Sequence, residues 1–408
     1  MFWLSRFRVL FACLFGLILL VTNIYKALNC SQSFGCIDPY WTNFWLISFA
    51  DGYHRRALLG HIVGSISGGI LDYRILNAIA FIIAALAPAF VLLKYFSRYV
   101  QSSNWYLVFI VLLVGPTTTV FFEVAGDPLH IVFLLCLAYF FLAGVLPVIF
   151  SVILACVISI LMLLIHEASL FIFVPAIYLI HCFSHQRKIS LPFLAMTLVV
   201  TGGLFTVILS NQPLVESRAG LLLKDNSIYH APLDALPSYM VLLQREAQAY
   251  FGSPYDFLIM IRKTIGAFAF PVVGLLLLSK LFKDRNLIGC FLCIFPFSLP
   301  LFVIAHDWGR FLIYILLIAM LLSSKLREDT TLFSGWWQTV YERVLAQVLR
   351  IEILVGALPL VAALYSAHGN YRIFGLKPDN VMPYCLGLLL MVLYSGKYAK
   401  KIGESEHA

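Results

Sequence analysis

Residues 129–184 read LHIVFLLCLAYFFLAGVLPVIFSVILACVISILMLLIHEASLFIFVPAIYLIHCFS, and Glu167 is the only Asp, Glu, Lys or Arg among them. A bilayer core of about 30 Å needs about 20 consecutive apolar residues for each crossing helix. The whole chain has the same character, since 62% of its 408 residues are hydrophobic and 12% are charged. Soluble globular domains do not have this balance, and continuous apolar runs are not the alternating pattern of an outer-membrane barrel. The sequence therefore predicts an all-α, polytopic transmembrane helical bundle.

Apolar runs of suitable length follow one another along most of the chain. They fall at 9–28, 75–97, 105–122, 129–144, 147–165, 168–184, 190–210, 264–281, 286–305, 311–323, 351–366 and 383–396. These runs predict about twelve crossing helices in a single transmembrane domain that covers 1–408. Several runs are short or contain Pro, which leaves the count open by one or two.

The distribution of charge predicts the orientation of the bundle. With the N-terminus inside, the cytoplasmic segments hold sixteen of the 28 basic residues and seven of the 20 acidic residues. Cytoplasmic loops of membrane proteins carry such an excess of Lys and Arg, so we expect both termini in the cytoplasm. A basic rim facing anionic lipid accounts for the net charge of +8 and gives no reason to expect a nucleic acid as partner.

Three connections are long enough to carry function. The first, 29–74, is predicted as an outer loop with an amphipathic, aromatic-rich helix in the membrane interface around 40–45. The second, 211–263, is predicted as a large outer loop that forms a lid or a re-entrant element. The third, 324–350, is predicted as a cytoplasmic interfacial segment.

Ionisable residues gather in the connections that this topology assigns to the outer face. The clusters are Asp51, His54, Arg55 and Arg56; Glu123 and Asp127; His166 and Glu167; and His306, Asp307 and Arg310. Charged groups at the edge of the hydrocarbon are costly and are usually kept for a task. The sequence therefore predicts one polar cavity that opens outward.

Three of the clusters also have a structural interpretation, whereas His166 and Glu167 interrupt an apolar stretch without a Gly or Pro turn and have no comparable one. Arg55 and Arg56 are interpreted as interfacial anchors, and Asp127 as the cap of the helix that follows it. Asp307 and Arg310 are three residues apart and suit an internal ion pair. Two histidines near the starts of apolar helices are interpreted as satisfied polar residues rather than ligands: His61 and His130.

Acids, histidines and arginines at the outer end of a helical bundle suit transfer from a lipid-linked phosphate donor. A carboxylate acts as general base on an acceptor hydroxyl, while arginine pairs with the departing phosphate. Sugar transfer also needs stabilisation of an oxocarbenium-like centre. No Walker-type loop or G-x-G-x-x-G fingerprint for a nucleotide is found, and the sequence does not require a divalent metal.

At these residues the sequence resembles the C-type (GT-C) glycosyltransferases, which take sugars from polyprenyl-linked donors at the outer face of a membrane. The family's essential acid in the first outer loop matches Asp51, with Asp38 as a weaker match. A second acidic motif in the next outer turn matches Glu123 and Asp127. The resemblance is one of layout and covers the first four helices.

The sequence is also similar to bacterial O-antigen and capsule polymerases, which have about twelve helices, a large outer loop and essential outer arginines. Arg218 and Arg245 in the predicted lid are the matching positions. The sequence predicts no soluble C-terminal outer domain of the kind that oligosaccharyltransferases have. The stretch D-G-Y-H-R-R at 51–56 also lacks the second acid found in many GT-C members, so the resemblance leaves metal dependence open.

The resemblance implies an integral membrane glycosyltransferase or polysaccharide polymerase of the bacterial inner membrane, with a polyprenyl-linked sugar donor, a glycan or lipid-linked acceptor and membrane lipids as partners. Asp51 is the expected catalytic base, with Glu167 and Asp307 as competitors, and His166 and His306 assist proton transfer. The expected substrate-binding residues are His54, Arg55, Arg56, Glu123, Asp127, Arg310, Arg218 and Arg245. The alternative is a transporter or flippase of a lipid-linked or anionic substrate; a non-catalytic assembly subunit or receptor is the third interpretation.

Overall fold

The computed structural model describes residue 45 and residues 57–66, 73–97, 126–185, 202–203, 253–304 and 308–326. Within these ranges the chain is helical and has no β-strand. The helices are α1 (Ala57–Ile66), α2 (Tyr73–Phe96), α3 (Leu129–Leu142), α4 (Val148–Ile165), α5 (Ser169–Ser184), α6 (Pro254–Leu281), α7 (Arg285–Ile304) and α8 (Trp308–Ser323). The predicted all-α class is confirmed for this part of the chain.

The apolar runs predicted most of the helix ends closely. Seven of the twelve runs lie in the described part of the chain, and each of them contains a helix: 75–97, 129–144, 147–165, 168–184, 264–281, 286–305 and 311–323. The run at 105–122 is not described. The runs at 9–28, 351–366 and 383–396 also lie outside the described residues, as does 190–210 apart from its helical residues 202–203. The count of twelve crossings therefore stays a prediction.

Three of the described helical segments are long and apolar enough to cross a membrane: Ala78–Phe96, Val148–Ile165 and Thr264–Leu281. The other apolar helices are shorter, at Leu129–Leu142, Ser169–Ser184, Asn286–Phe302 and Trp308–Ser323. Prolines inside the helices do not end them, and α7 continues through two of them, Pro296 and Pro300. Membrane helices tolerate proline because neighbouring helices can supply hydrogen-bond partners for the backbone groups that the proline leaves unpaired. These properties indicate a membrane protein.

Two helices lie where the sequence placed outer loops. Helix α1 occupies part of the first outer loop, 29–74, and packs against α4. Helix α6 begins at Pro254, inside the segment assigned to the lid, rather than at 264. Proline suits the first turn of a helix because its fixed φ is helical and its missing N–H needs no partner there. The polar residues 262–263 had hidden this extension by interrupting the apolar run.

Helix α8 is the most enclosed of the described helices. Every residue from Trp308 to Ser323 is buried, and the helices packed around it are α2, α5, α6 and α7. Helix α3 lies beside α2, α4 and α5. The run from Phe311 to Leu322 carries no polar residue besides Tyr314, and a helix that is apolar on all sides suits a position that is buried all round.

The bundle has two distinct ends. One end, called here the Asp127 end, is defined by Asp127, His166 and Arg310. It contains the N-terminal ends of α3, α5 and α8 and the C-terminal end of α4. The C-terminal ends of α2 and α8 meet the α6–α7 turn at the Asp284 end, defined by Tyr95, Asp284 and Ser323. In the predicted topology the Asp127 end faces outward and the Asp284 end faces the cytoplasm.

Candidate functional site

A turn at residues 126–128 sets the position of Asp127. Gly126 has φ +94°, a backbone conformation that residues with a Cβ rarely adopt. The Asp127 carboxylate then accepts a hydrogen bond from the Leu129 amide at 2.9 Å, at the first turn of α3. Trp45, from the predicted first outer loop, donates its indole N–H to the Gly126 carbonyl at 2.6 Å. This loop therefore contacts the turn that carries Asp127.

The carboxylate of Asp127 forms a buried ion pair with Arg310. The Nη1 atom of Arg310 contacts Oδ2 of Asp127, and the two residues are 7% and 1% exposed. The pair joins the starts of α3 and α8. Asp127 thus caps α3 and also has a charged partner on another helix. The predicted ion pair of Arg310 with Asp307 stays a prediction, because Asp307 lies outside the described residues.

One turn farther along the same two helices, His130 contacts Tyr314. The His130 Nδ1 and Tyr314 Oη atoms are 2.5 Å apart, and both side chains are buried. Edge-to-face contacts with Phe133 and Phe173 hold the tyrosine ring. His130 is three residues after Asp127, and Tyr314 is four residues after Arg310. The two polar contacts between α3 and α8 are therefore about one helical turn apart.

His166 and Glu167 form the tight connection between α4 and α5. Both residues are buried. The His166 Nδ1 atom accepts a hydrogen bond from the Ala168 amide at 3.1 Å and lies 3.6 Å from Glu167 Oε2. In a neutral imidazole this acceptor role leaves the proton on Nε2. The connection therefore places a carboxylate and an imidazole at the Asp127 end.

The electrostatics of Asp127, which precedes α3, link these groups. Burial by itself would raise the pKa of the Asp127 carboxyl. The Arg310 guanidinium, the His166 and His130 imidazoles and the Leu129 amide outweigh burial and lower this pKa below its usual value. The carboxylate is consequently ionised at neutral pH, and the imidazoles of α3 and of the α4–α5 connection are near enough to act on it.

The predicted site residues divide into two sets. Four of them, Asp127, His166, Glu167 and Arg310, lie at one end of the bundle. The others lie outside the described residues: Asp51, His54, Arg55, Arg56, Glu123, Arg218, Arg245, His306 and Asp307. The roles predicted for both sets in catalysis and substrate binding stay predictions.

Two members of the cluster were not among the predicted site residues. The sequence predicts His130 as a satisfied polar residue, which agrees with its contact with Tyr314, and it gives no role to Tyr314. The signal that identifies them is their spacing, because each lies one helical turn from a charged residue on an otherwise apolar helix. In the described part of the chain, no group of three or more His, Cys, Asp or Glu side chains is placed to hold a metal ion.

A second set of buried polar contacts lies between α3, α4 and α5, towards the Asp284 end. Tyr139 Oη, Ser151 Oγ and His181 Nδ1 lie 3.0 to 3.2 Å from one another. These residues are in the last turns of α3 and α5 and the first turn of α4. They satisfy one another's hydrogen bonds, which suits a structural link among three apolar helices.

The cluster at the Asp127 end combines a buried guanidinium, two carboxylates, two imidazoles and a phenol. Such groups can bind an anion, accept a proton from a hydroxyl and donate a proton to a leaving group. Comparison of the chain with protein-family models, with curated proteins and with solved structures finds no match.

Proposed function

We propose that the protein is an integral membrane glycosyltransferase or polysaccharide polymerase that transfers a sugar from a polyprenyl-linked donor at the outer face of a bacterial inner membrane. The observation that carries the proposal is the buried Asp127–Arg310 pair with His130, His166 and Glu167 beside it. Charged groups enclosed at one end of an apolar bundle are costly, and transfer from an anionic lipid donor is a task that uses them.

The proposed roles follow from the chemistry of each group. Asp51 is the proposed base that deprotonates the acceptor hydroxyl, and Glu167 and Asp307 are its competitors. Arg310 supports the donor phosphate, with Asp127 fixing the direction of the guanidinium. Because one guanidinium nitrogen already contacts Asp127, the donor shares Arg310 with that carboxylate instead of replacing it. His166, with its Nε2 proton, is the proposed hydrogen-bond donor to the leaving group.

The test is a transfer assay with lipid-linked donors extracted from the host membranes, with products followed by mass spectrometry. Asp51→Asn is expected to abolish product while the protein stays inserted and folded. Glu167→Gln, tested in parallel, separates the competing base: whichever variant loses transfer while keeping its unfolding temperature identifies the carboxylate. Full transfer in both variants would remove both acids from the mechanism.

The matched control is Lys283→Gln, which removes an exposed charge at the Asp284 end. It is expected to leave transfer unchanged. If no lipid-linked glycan changes in cells that lack the protein, the proposed reaction is wrong, and uptake of a labelled lipid-linked glycan into vesicles would then test the flippase alternative.

A further inference from the structure

Lys325 lies in an enclosed position at the Asp284 end, directly after α8. Its Nζ atom is 2.5 Å from Ser184 Oγ at the end of α5, and it lies 4.5 Å from the centre of the Phe140 ring on α3. A Cβ added to Gly144, in the α3–α4 turn, would come within 3.6 Å of the same ammonium. The ends of three other elements thus surround one half-buried cation.

A second cation, Lys94, lies exposed in the last turn of α2, at the same end of the bundle. Burial and the charge of Lys94 together lower the pKa of Lys325 to about 8. The carboxylate of Asp284, at the same end, is held by the Tyr95 and Ser323 hydroxyls and by the Leu287 amide. Two neighbouring ammonium groups therefore repel each other where an anion would stabilise both.

An apolar path leads from the side of the bundle to these lysines. Phe90 on α2 and Phe141 on α3 are exposed and pack edge to face, with ring centres 5.2 Å apart. The Phe141 ring contacts Phe140 in the same way, and Phe140 lies beneath Lys325. Lys94 is one helical turn beyond Phe90, so the exposed rings end at the two cations.

The geometry points to a binding site for one anionic phospholipid, whose phosphate lies between Lys94 and Lys325 and whose acyl chain lies along Phe90 and Phe141. Basic pockets between membrane helices on the cytoplasmic side bind such head groups. Charge decides the choice of lipid, because a zwitterionic head group brings its own cation to a place that already holds two. The site is at the opposite end from the proposed catalytic cluster and does not depend on it.

The test uses native mass spectrometry of the purified full-length protein, titrated with phosphatidylglycerol or with phosphatidylcholine of the same acyl chains. Wild-type protein is expected to retain phosphatidylglycerol in preference. Lys94→Gln should weaken this binding about fivefold, and Lys94→Gln with Lys325→Met about twenty-five-fold, as expected for roughly 1 kcal/mol per cation near the surface. Lys94→Arg, which keeps the charge, should bind as wild type.

Lys283→Gln is the matched control, since it removes another lysine at the same end and should leave the preference unchanged. Equal lipid preference in the wild type and the double variant would overturn the proposal. So would displacement of phosphatidylglycerol by millimolar inorganic phosphate, because the site would then recognise phosphate alone. If the double variant does not fold, the exposed Lys94→Gln variant decides, and an unchanged preference in it counts against the site.

Discussion

The guanidinium of Arg310 contacts the carboxylate of Asp127, 183 positions earlier in the chain, and both groups are almost completely buried. The pair joins the turn before α3 to the first turn of α8, which is the most enclosed of the described helices. Removing one member leaves the other charge buried without its partner, whereas removing both leaves no charge to compensate. The two cases therefore differ in their expected effect on stability.

Arg310→Met is expected to lower the free energy of unfolding by about 3 to 5 kcal/mol, the usual cost of breaking a buried pair from one side. Asp127→Asn combined with Arg310→Met should be more stable than the sum of the single changes predicts. Unfolding in a denaturing detergent, followed by tryptophan fluorescence, measures all three variants. Additive effects would mean that the two side chains do not act as a pair.

The same double variant separates stability from function. If it folds as well as the wild type but loses transfer, the pair has a role in substrate binding beyond joining two helices. Lys283→Gln serves as the control, because substitutions of exposed residues usually change stability by no more than about 0.5 kcal/mol.

The second polar contact between α3 and α8, that of His130 with Tyr314, is expected to contribute less to the free energy of unfolding. Tyr314→Phe removes the hydroxyl that lies 2.5 Å from His130 Nδ1 but keeps the ring that packs on Phe133 and Phe173. The expected loss is about 1 to 3 kcal/mol, because one buried imidazole nitrogen loses this hydrogen bond. Thermal unfolding in detergent checks this value.

Tyr314→Leu is the comparison variant, since it removes the ring as well. It should be less stable than Tyr314→Phe by about 1 kcal/mol or more, the worth of lost aromatic contacts and packing. Equal stability of the two variants would assign the whole effect to the hydroxyl.

Hydropathy predicted most of this bundle, because the helices are nearly all apolar and their connections are short. The C-terminal end of α4 and the start of α5 follow directly from His166 and Glu167, the polar pair that interrupts the apolar stretch 129–184. The start of α6 at Pro254 did not follow, since 254–263 mixes charged and apolar residues. Hydropathy alone does not predict that a mixed segment such as 254–263 continues a helix, because this depends on which elements pack beside it.

The partners of the charged residues were harder to predict than their positions. The placement of Asp127 and Arg310 near helix starts follows from sequence, but the contact between them depends on which helices are neighbours. The contact of Arg310 with Asp127 could not be predicted, because hydropathy carries no information on how the start of α8 lies against the start of α3. The ion pair of Arg310 with Asp307, which local spacing predicts, lies outside the described residues. The polar contacts of Tyr314 and Tyr95 were missed for the same reason, since their rings count as apolar in such a reading.

The Asp284 end depends on one carboxylate. Oδ2 of Asp284 accepts hydrogen bonds from Tyr95 Oη at 3.0 Å and Ser323 Oγ at 2.5 Å, and its Oδ1 caps α7 at the Leu287 amide. Asp284→Ala removes the cap and leaves two buried hydroxyls without this acceptor. We expect a loss of about 2 to 4 kcal/mol, measured by detergent unfolding.

Tyr95→Phe gives the matched comparison, because it removes one hydroxyl and leaves the carboxylate and its cap in place. It should cost about 1 kcal/mol. A cost as large as that of Asp284→Ala would show that the tyrosine, and not the cap, holds the turn.

The lowered pKa of Lys325 leads us to expect that the free energy of unfolding rises at alkaline pH. Lys325 lies two residues beyond the end of α8, and burial together with the charge of Lys94 lowers its pKa from 10.5 to about 8. Below pH 8 both the folded and the unfolded chain carry the proton, so the folded state bears the full cost of the enclosed charge. As the pH rises above 8 the folded state loses the proton first, and stability increases until the unfolded chain also loses it near pH 10.5.

The measurement is the detergent-unfolding midpoint between pH 7 and 10, compared with that of Lys325→Met, which cannot lose a proton at this position. The wild type should gain stability relative to the variant across this range. Added phosphatidylglycerol should reduce the gain, because a bound phosphate favours the charged lysine and restores its pKa towards the ordinary value. Parallel curves for the two proteins in lipid-free detergent would show that Lys325 titrates as an exposed lysine, and that the ends of α3, α5 and α8 do not enclose it.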